Sequence, residues 1–119
     1  MAEHNKLGND GEDMAAALLL KKGYEILAKN YRHQKAEVDI IALKDGILVA
    51  VEVKTRSTPE FGDPREFLKP AQIKRLVEAV DHFVNSRELD YEVRFDFIGI
   101  IKNKLGTRLE HIEDAFLHF

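Results

Sequence analysis

The dipeptide Asp45-Gly46 stands between two largely apolar runs, Glu37–Leu43 and Ile47–Thr55. An Asp-Gly step supplies the two positive-φ residues that a two-residue hairpin turn needs, and such a turn matches the twist of its strands. The chain is therefore committed to an antiparallel pair here, with Lys44 facing Ile47. Counting outward, Asp39 falls opposite Glu52 and Glu37 opposite Lys54. Side chains alternate between the faces of a strand. One face then carries Val38, Ile40, Ala42, Val49, Val51 and Val53, an apolar set that demands a core. The other carries Glu37, Asp39, Glu52 and Lys54 at one end, and Ile41, Leu43, Leu48 and Ala50 at the other. A one-residue change in the turn would shift Asp39 to the other face relative to these partners.

Opposed residues have Cβ atoms about 4.5–5.5 Å apart, and like charges there are destabilising. Asp39 against Glu52 is such a pair. Lys54, two residues from Glu52 on the same face, offsets part of the repulsion. A hard divalent cation would offset it more fully, because Mg²⁺ takes carboxylate oxygens and keeps several waters. Two carboxylates holding Mg²⁺ or Mn²⁺, with Lys54 positioning a water or stabilising charge on phosphorus, would suit metal-assisted phosphodiester hydrolysis. The same alternation also fits the wet face of a half-exposed sheet, and the residues alone leave both readings open.

Around the hairpin the punctuation predicts the remaining elements. Asn9, with Glu12 three residues on, reads as the N-cap of a helix that continues through the apolar run Met14–Leu20 and ends at Gly23. Tyr24–Tyr31 reads as a first strand. Pro59, Gly62 and Pro64 mark a loop from Arg56 to about Leu68. Pro70 suits the first turn of a second helix, in which Ile73, Leu76, Val77, Val80, Phe83 and Val84 keep helical spacing. Tyr91–Ile101 reads as a further strand, Asn103–Gly106 as a turn, and the tail from Arg108 as a short strand followed by a helical or extended end. Helix, three strands, helix and one or two strands make an α/β chain, a mixed sheet flanked by helices. At 119 residues, a single domain over 1–119 is expected.

Composition narrows the partners. The net charge is −3, so any nucleic-acid contact must come from a local basic patch and involve few phosphates. Cysteine is absent, which excludes disulfides and thiolate metal sites. His4, His33, His82, His111 and His118 show no zinc-ligand spacing. No apolar run approaches the roughly 18–20 residues of a membrane span, and the opening MAEHNKLGND lacks a signal-peptide core. The expectation is a cytoplasmic protein with no membrane partner.

Asp39 followed by Glu52-Val53-Lys54 resembles the signature of the PD-(D/E)xK nuclease superfamily. A wider set resembles the YraN-like uncharacterised bacterial family over nearly the whole chain, about Lys6 to Phe116. It comprises Gly11-Glu12, Tyr31-Arg32, Glu37–Ala42, Val51–Arg56, Phe61-Gly62 and Arg94–Ile98. One departure is visible: Ala36 stands where that family usually has Gly before the first strand acid. The resemblance implies a restriction-endonuclease-like fold similar to archaeal Holliday junction resolvases, acting on structured or branched DNA. It implies Asp39 and Glu52 as ligands of Mg²⁺ or Mn²⁺, Lys54 as a catalytic residue and Glu12 as the helix carboxylate that completes the site. It also raises a homodimer.

Other residues have two readings. Glu12 also fits a first-turn acid favoured by the helix dipole. Gln72 and Lys69 open the second helix, where the resemblance places a polar residue reaching the site and where a helix N-terminus suits phosphate. Both also fit a solvated first turn, Lys69 more than Gln72. Arg56, Arg65, Lys74 and Arg75 could form a basic rim with Lys69, and Lys6, Arg32, His33 and Lys35 another, or all could be plain surface. Phe61-Gly62 fits a base-stacking loop or a loop anchor. Arg94 and Asp96 are expected to form a buried ion pair. A non-catalytic nucleic-acid-binding module and a protein-interaction adaptor are the alternatives to an enzyme.

Overall fold

The computed structural model describes residues 3–58 and 68–116. Seven elements follow in order: α1 (Glu3–Lys21), β1 (Glu25–His33), β2 (Ala36–Lys44), β3 (Ile47–Arg56), α2 (Pro70–Ser86), β4 (Glu92–Asn103) and β5 (Gly106–Ile112). The expected features at Phe61, Gly62 and Arg65, the side chain of Lys6 and the end of the tail lie outside what is described.

The hairpin forms as its turn dictates. Asp45 and Gly46 take φ of 52° and 77°, and β2 pairs with β3 from Lys44↔Ile47 to Ile40↔Val51, in the expected register. α1 ends where Gly23, at φ 96°, leaves the helix. The Gly23 N–H donates to the Leu20 carbonyl at 3.0 Å and the Tyr24 N–H to that of Leu19 at 2.9 Å, which satisfies two of the carbonyls a helix end leaves open. Its start differs from expectation: α1 already runs from Glu3, so Asn9 is interior and not the N-cap. An interior Asn or Gly costs no more than about 1 kcal/mol, so the polar residues ahead of Asn9 simply prolong the helix. At α2, Pro70 occupies the first helical position after Lys69.

The sheet order is β1-β2-β3-β4-β5. Every neighbouring pair is antiparallel except β3 and β4, which are parallel, because α2 carries the chain back across one face between them. This five-stranded mixed sheet flanked by two helices is consistent with the restriction-endonuclease-like arrangement implied by the resemblance. On one side Ala15, Ala16 and Leu19 of α1 bury Ile40, Ala42, Val49, Val51, Ile98 and Ile100. On the other, Leu76, Ala79, Val80 and Phe83 of α2 bury Ile41, Leu48, Ala50, Phe95 and Phe97.

One strand position breaks the expected alternation. Val38 packs with the α2-side core, not with Ile40 on the α1 side. On the neighbouring strand Asn30 adopts φ 53°. The β1–β2 pairing runs through Lys29↔Ile40 and Tyr31↔Val38 around it. A left-handed residue rotates the strand locally, and Asn is among the few that tolerate it.

Gly11 governs how close α1 comes to the sheet. A Cβ built at Gly11 would collide with Oγ1 of Thr55. Ala is favoured over Gly in a helix by about 1 kcal/mol, while overpacking costs about 1–3 kcal/mol. Gly11→Ala is therefore expected to lower stability in urea unfolding, and Gly11→Ala combined with Thr55→Ala to recover it. A stabilising Gly11→Ala would show that the helix does not press on Thr55.

On β4, Asp96 is fully buried. Arg94 grips it through Nε to Oδ1 and through a terminal nitrogen to Oδ2, both at 2.9 Å. This is the buried ion pair expected for these residues. It extends further: His111 of β5 lies 2.7 Å from Oδ2 and the Asp114 amide donates to Oδ1 at 2.9 Å. Lys22 lies 2.8 Å from Nδ1 of His111. An ammonium can only donate, so Nδ1 accepts, and the ring donates to Asp96 from Nε2. Arg94 also donates to the Tyr24 hydroxyl at 2.7 Å.

Candidate functional site

Beyond Ile40↔Val51 the β2–β3 ladder stops, and the carboxylate of Asp39 takes its place. Oδ2 of Asp39 accepts the Val53 N–H at 2.8 Å. The expected direct opposition of Asp39 with Glu52, and of Glu37 with Lys54, is thus replaced by a parting of the strands bridged by one side chain. Glu37 faces Arg32 across the β1–β2 ladder instead. Their charges are 3.6 Å apart and exposed, a pair worth about 1 kcal/mol at most.

Where the strands part, a cleft of about 430 Å³ opens. It is lined by Glu12 from α1, Glu37 and Asp39 from β2, Glu52 and Lys54 from β3, and Gln72 and Arg75 from α2. Lys35, Val53, Thr55 and Leu68 complete its walls. The four residues predicted as catalytic, Asp39, Glu52, Lys54 and Glu12, are therefore brought to one cleft from three different elements. Of the four predicted to touch nucleic acid, Gln72 and Arg75 line it. Arg56 and Lys69 are exposed and do not contribute to its lining. Gln72 has a second task, since its Oε1 accepts the Lys69 N–H at 2.9 Å and so holds the start of α2. Its amide N–H₂ remains the group suited to a ligand.

The electrostatics of the cleft are those of crowded acids. Burial raises the Glu52 pKa most. A hydrogen bond with Asp39, the Asp39 charge and the Glu37 charge add to it against the opposing Lys54, and Glu52 is pushed up to about 9. At neutral pH it therefore keeps its proton and shares it with Asp39. Glu12 is also raised, first by burial and then by Asp39, with Glu37 adding a little. A hydrogen bond from Asn30 and the charge of Lys29 pull Glu12 the other way. Carboxyls pushed up by burial and by neighbouring acids mark a place where positive charge is missing. Among the described residues no three His, Cys, Asp or Glu side chains converge into a ready-made metal cage. The Asp39–Glu52 pair fits instead a cation of the Mg²⁺ kind, which takes one or two carboxylates and retains its waters.

The acids, Gln72 and Arg75 are legible in the sequence and Lys35 belongs to one of its basic clusters, but what brings Lys35 here, and the presence of Thr55 and Leu68, carry no local signal. Lys35 enters through a two-residue turn whose first residue, Gln34, takes φ 56° with no glycine to announce it. Thr55 enters because Gly11 lets α1 approach. Leu68 is buried just ahead of α2 and showed no periodicity to mark it.

Among the described residues no helix is long and apolar enough to cross a membrane. The uncharacterised protein family UPF0102 matches residues 11–100, a span that includes every residue of the cleft. The chain is 64% identical to a UPF0102 protein of Christiangramia forsetii over 119 residues, 100% of both chains. It is 56% identical to a UPF0102 protein of Flavobacterium psychrophilum, again over 100% of both. With a UPF0102 protein of Phocaeicola vulgatus it shares 40% identity over 116 residues, 98% of this chain and 96% of the other. The chain belongs to the uncharacterised protein family UPF0102.

Proposed function

We propose that the protein is a metal-dependent endonuclease that hydrolyses phosphodiester bonds in structured or branched DNA. The observation that carries this reading is the Asp39–Glu52 carboxyl pair, brought together with Lys54 and Glu12 in one cleft. Asp39 and Glu52 would hold Mg²⁺ or Mn²⁺, and Glu12 would add negative charge from α1. When bound, such a cation polarises a phosphate oxygen and lowers the pKa of water. The remaining work falls to the chain itself. Lys54 positions the attacking water or stabilises charge developing on phosphorus. Arg75 and the amide of Gln72 orient the phosphodiester. Asp39, fixed by the Val53 N–H, keeps its other oxygen directed by a rigid strand rather than a loop.

The test is incubation with branched, single-stranded and linear DNA in Mn²⁺ and in Mg²⁺. Cleavage by the parent, lowered about 10²-fold or more by Asp39→Ala and by Lys54→Ala, supports the enzyme. Metal-independent binding that neither substitution changes would replace it with a non-catalytic nucleic-acid-binding module. Absence of any DNA affinity at low salt would leave a protein-interaction adaptor.

A further inference from the structure

A second cleft, of about 440 Å³, adjoins the first between the β1–β2 turn and α2. Its walls include His33, Lys35, Lys74, Arg75 and Glu78. Lys35 and Arg75 also line the acidic cleft, so the two clefts share a border made of cations. The sign of the charge inverts across it. On one side Glu12, Glu37, Asp39 and Glu52 outnumber the bases. On the other, Lys35, Lys74 and Arg75 face the single acid Glu78. Lys35, Lys74 and Arg75 are all exposed, so their charges are presented to a ligand.

A small anion would need only one of these environments. A polymer of phosphates would use both: one phosphate at the acids, neutralised through a cation, and its neighbour held directly by lysine and arginine. The wall is also firm. The His33 ring stacks on His82 of α2, with centroids 3.5 Å apart and planes 10° from parallel. This ties the end of β1, and the turn that carries Lys35, to the helix that carries Lys74 and Arg75. The geometry points to the second cleft as a backbone subsite that holds the DNA phosphate flanking the one cleaved, on one side of the scissile bond. The subsite rests on the nuclease reading, whose cleft it extends.

The experiment uses the full chain carrying Asp39→Asn, so that DNA is bound and not cut. Affinity for a fluorescein-labelled single-stranded DNA is measured by anisotropy over a range of salt. Lys35→Gln with Lys74→Gln is compared with Lys102→Gln with Lys104→Gln, which removes the same charge from exposed sites on β4 and the turn after it. The expected result is a salt slope shallower by about 1–2 for the first pair and at least a tenfold affinity loss at low salt. The second pair should change neither. Equal effects of the two pairs would overturn the subsite and leave the acidic site standing. Full competition by inorganic phosphate at the concentration of DNA phosphates would also overturn it, in favour of a small-anion site. No binding at low salt, either by this chain or by the unsubstituted one, would overturn both the subsite and the nuclease reading.

Discussion

Asp96→Ala is expected to cost about 3–5 kcal/mol of stability, the range for removing one partner of a buried charge pair. Asp96 is fully buried and receives donors from Arg94, His111 and the Asp114 amide. Its removal leaves a guanidinium and an imidazole N–H pointing at an empty space. The effect should reach beyond β4, because the cluster joins β4 to β5 and, through Tyr24 and Lys22, to the end of α1. Burial alone would raise the Asp96 pKa. The bonds from His111, Arg94 and Asp114 outweigh it and hold the carboxyl below its ordinary value. The sign follows from that depression. The stabilisation is present above the unfolded pKa near 4 and is lost as pH falls through the lower folded value. Urea unfolding from neutral pH down to strongly acidic pH checks both points. The parent should lose stability in the acid range, and Asp96→Asn should lose less there from a lower start. A cost of under about 1 kcal/mol for Asp96→Ala would show that the cluster is not what joins these elements.

Glu52→Gln is expected to act in the opposite direction. The folded pKa of Glu52 is raised from 4.5 to about 9, so folding takes up a proton at neutral pH. The stabilising contribution of that proton is fully present below the unfolded value and is lost as pH rises through the folded one. Glutamine keeps a donor toward Asp39 and needs no proton. At about 1.4 kcal/mol per pKa unit, Glu52→Gln should be more stable than the parent by about 3–4 kcal/mol near pH 7, and nearly equal to it near pH 4.5. A divalent cation must displace the same proton, so its binding should strengthen with pH. At a concentration 100 times its Kd it would add about 2.7 kcal/mol to the parent, and far less to Glu52→Gln. Thermal unfolding with and without Mn²⁺ at two pH values measures all of this. A parent indifferent to Mn²⁺ at pH 8, with no gain from Glu52→Gln at pH 7, would show that these two carboxyls do not press on one another.

Much of the frame was legible because its causes are local. Asp45-Gly46 sets a turn through two φ angles, and the register of β2 on β3 follows. Gly23 and Pro70 end and begin helices by the conformations they allow or forbid. The site was legible for a related reason. A strand period of two places Asp39, Glu52 and Lys54 near one end of the hairpin whatever covers it. The misreadings have non-local causes. Extending the ladder pairs Glu37 with Lys54, but Asp39 supplies a side-chain oxygen where the ladder would have continued, and Glu37 meets Arg32 on the other side. Strict alternation puts Val38 on the face of Ile40, whereas it packs with the α2-side core. Asn9 and Glu12 stand at capping spacing, a pattern that a helix interior also tolerates.

By itself the sequence determined the hairpin, the ends of its helices, the mixed α/β order and the acids that crowd one end of the sheet. Each of these follows from backbone preferences or periodicity within a few residues. Only the tertiary structure decided that β2 and β3 part at Asp39, that Gly11 lets α1 bring Glu12 to the gap, and that Lys35 and Arg75 border both the acidic and the basic cleft. Those facts depend on contacts between residues far apart in the chain. There, the burial of a carboxyl or the approach of a helix is set by everything packed around it.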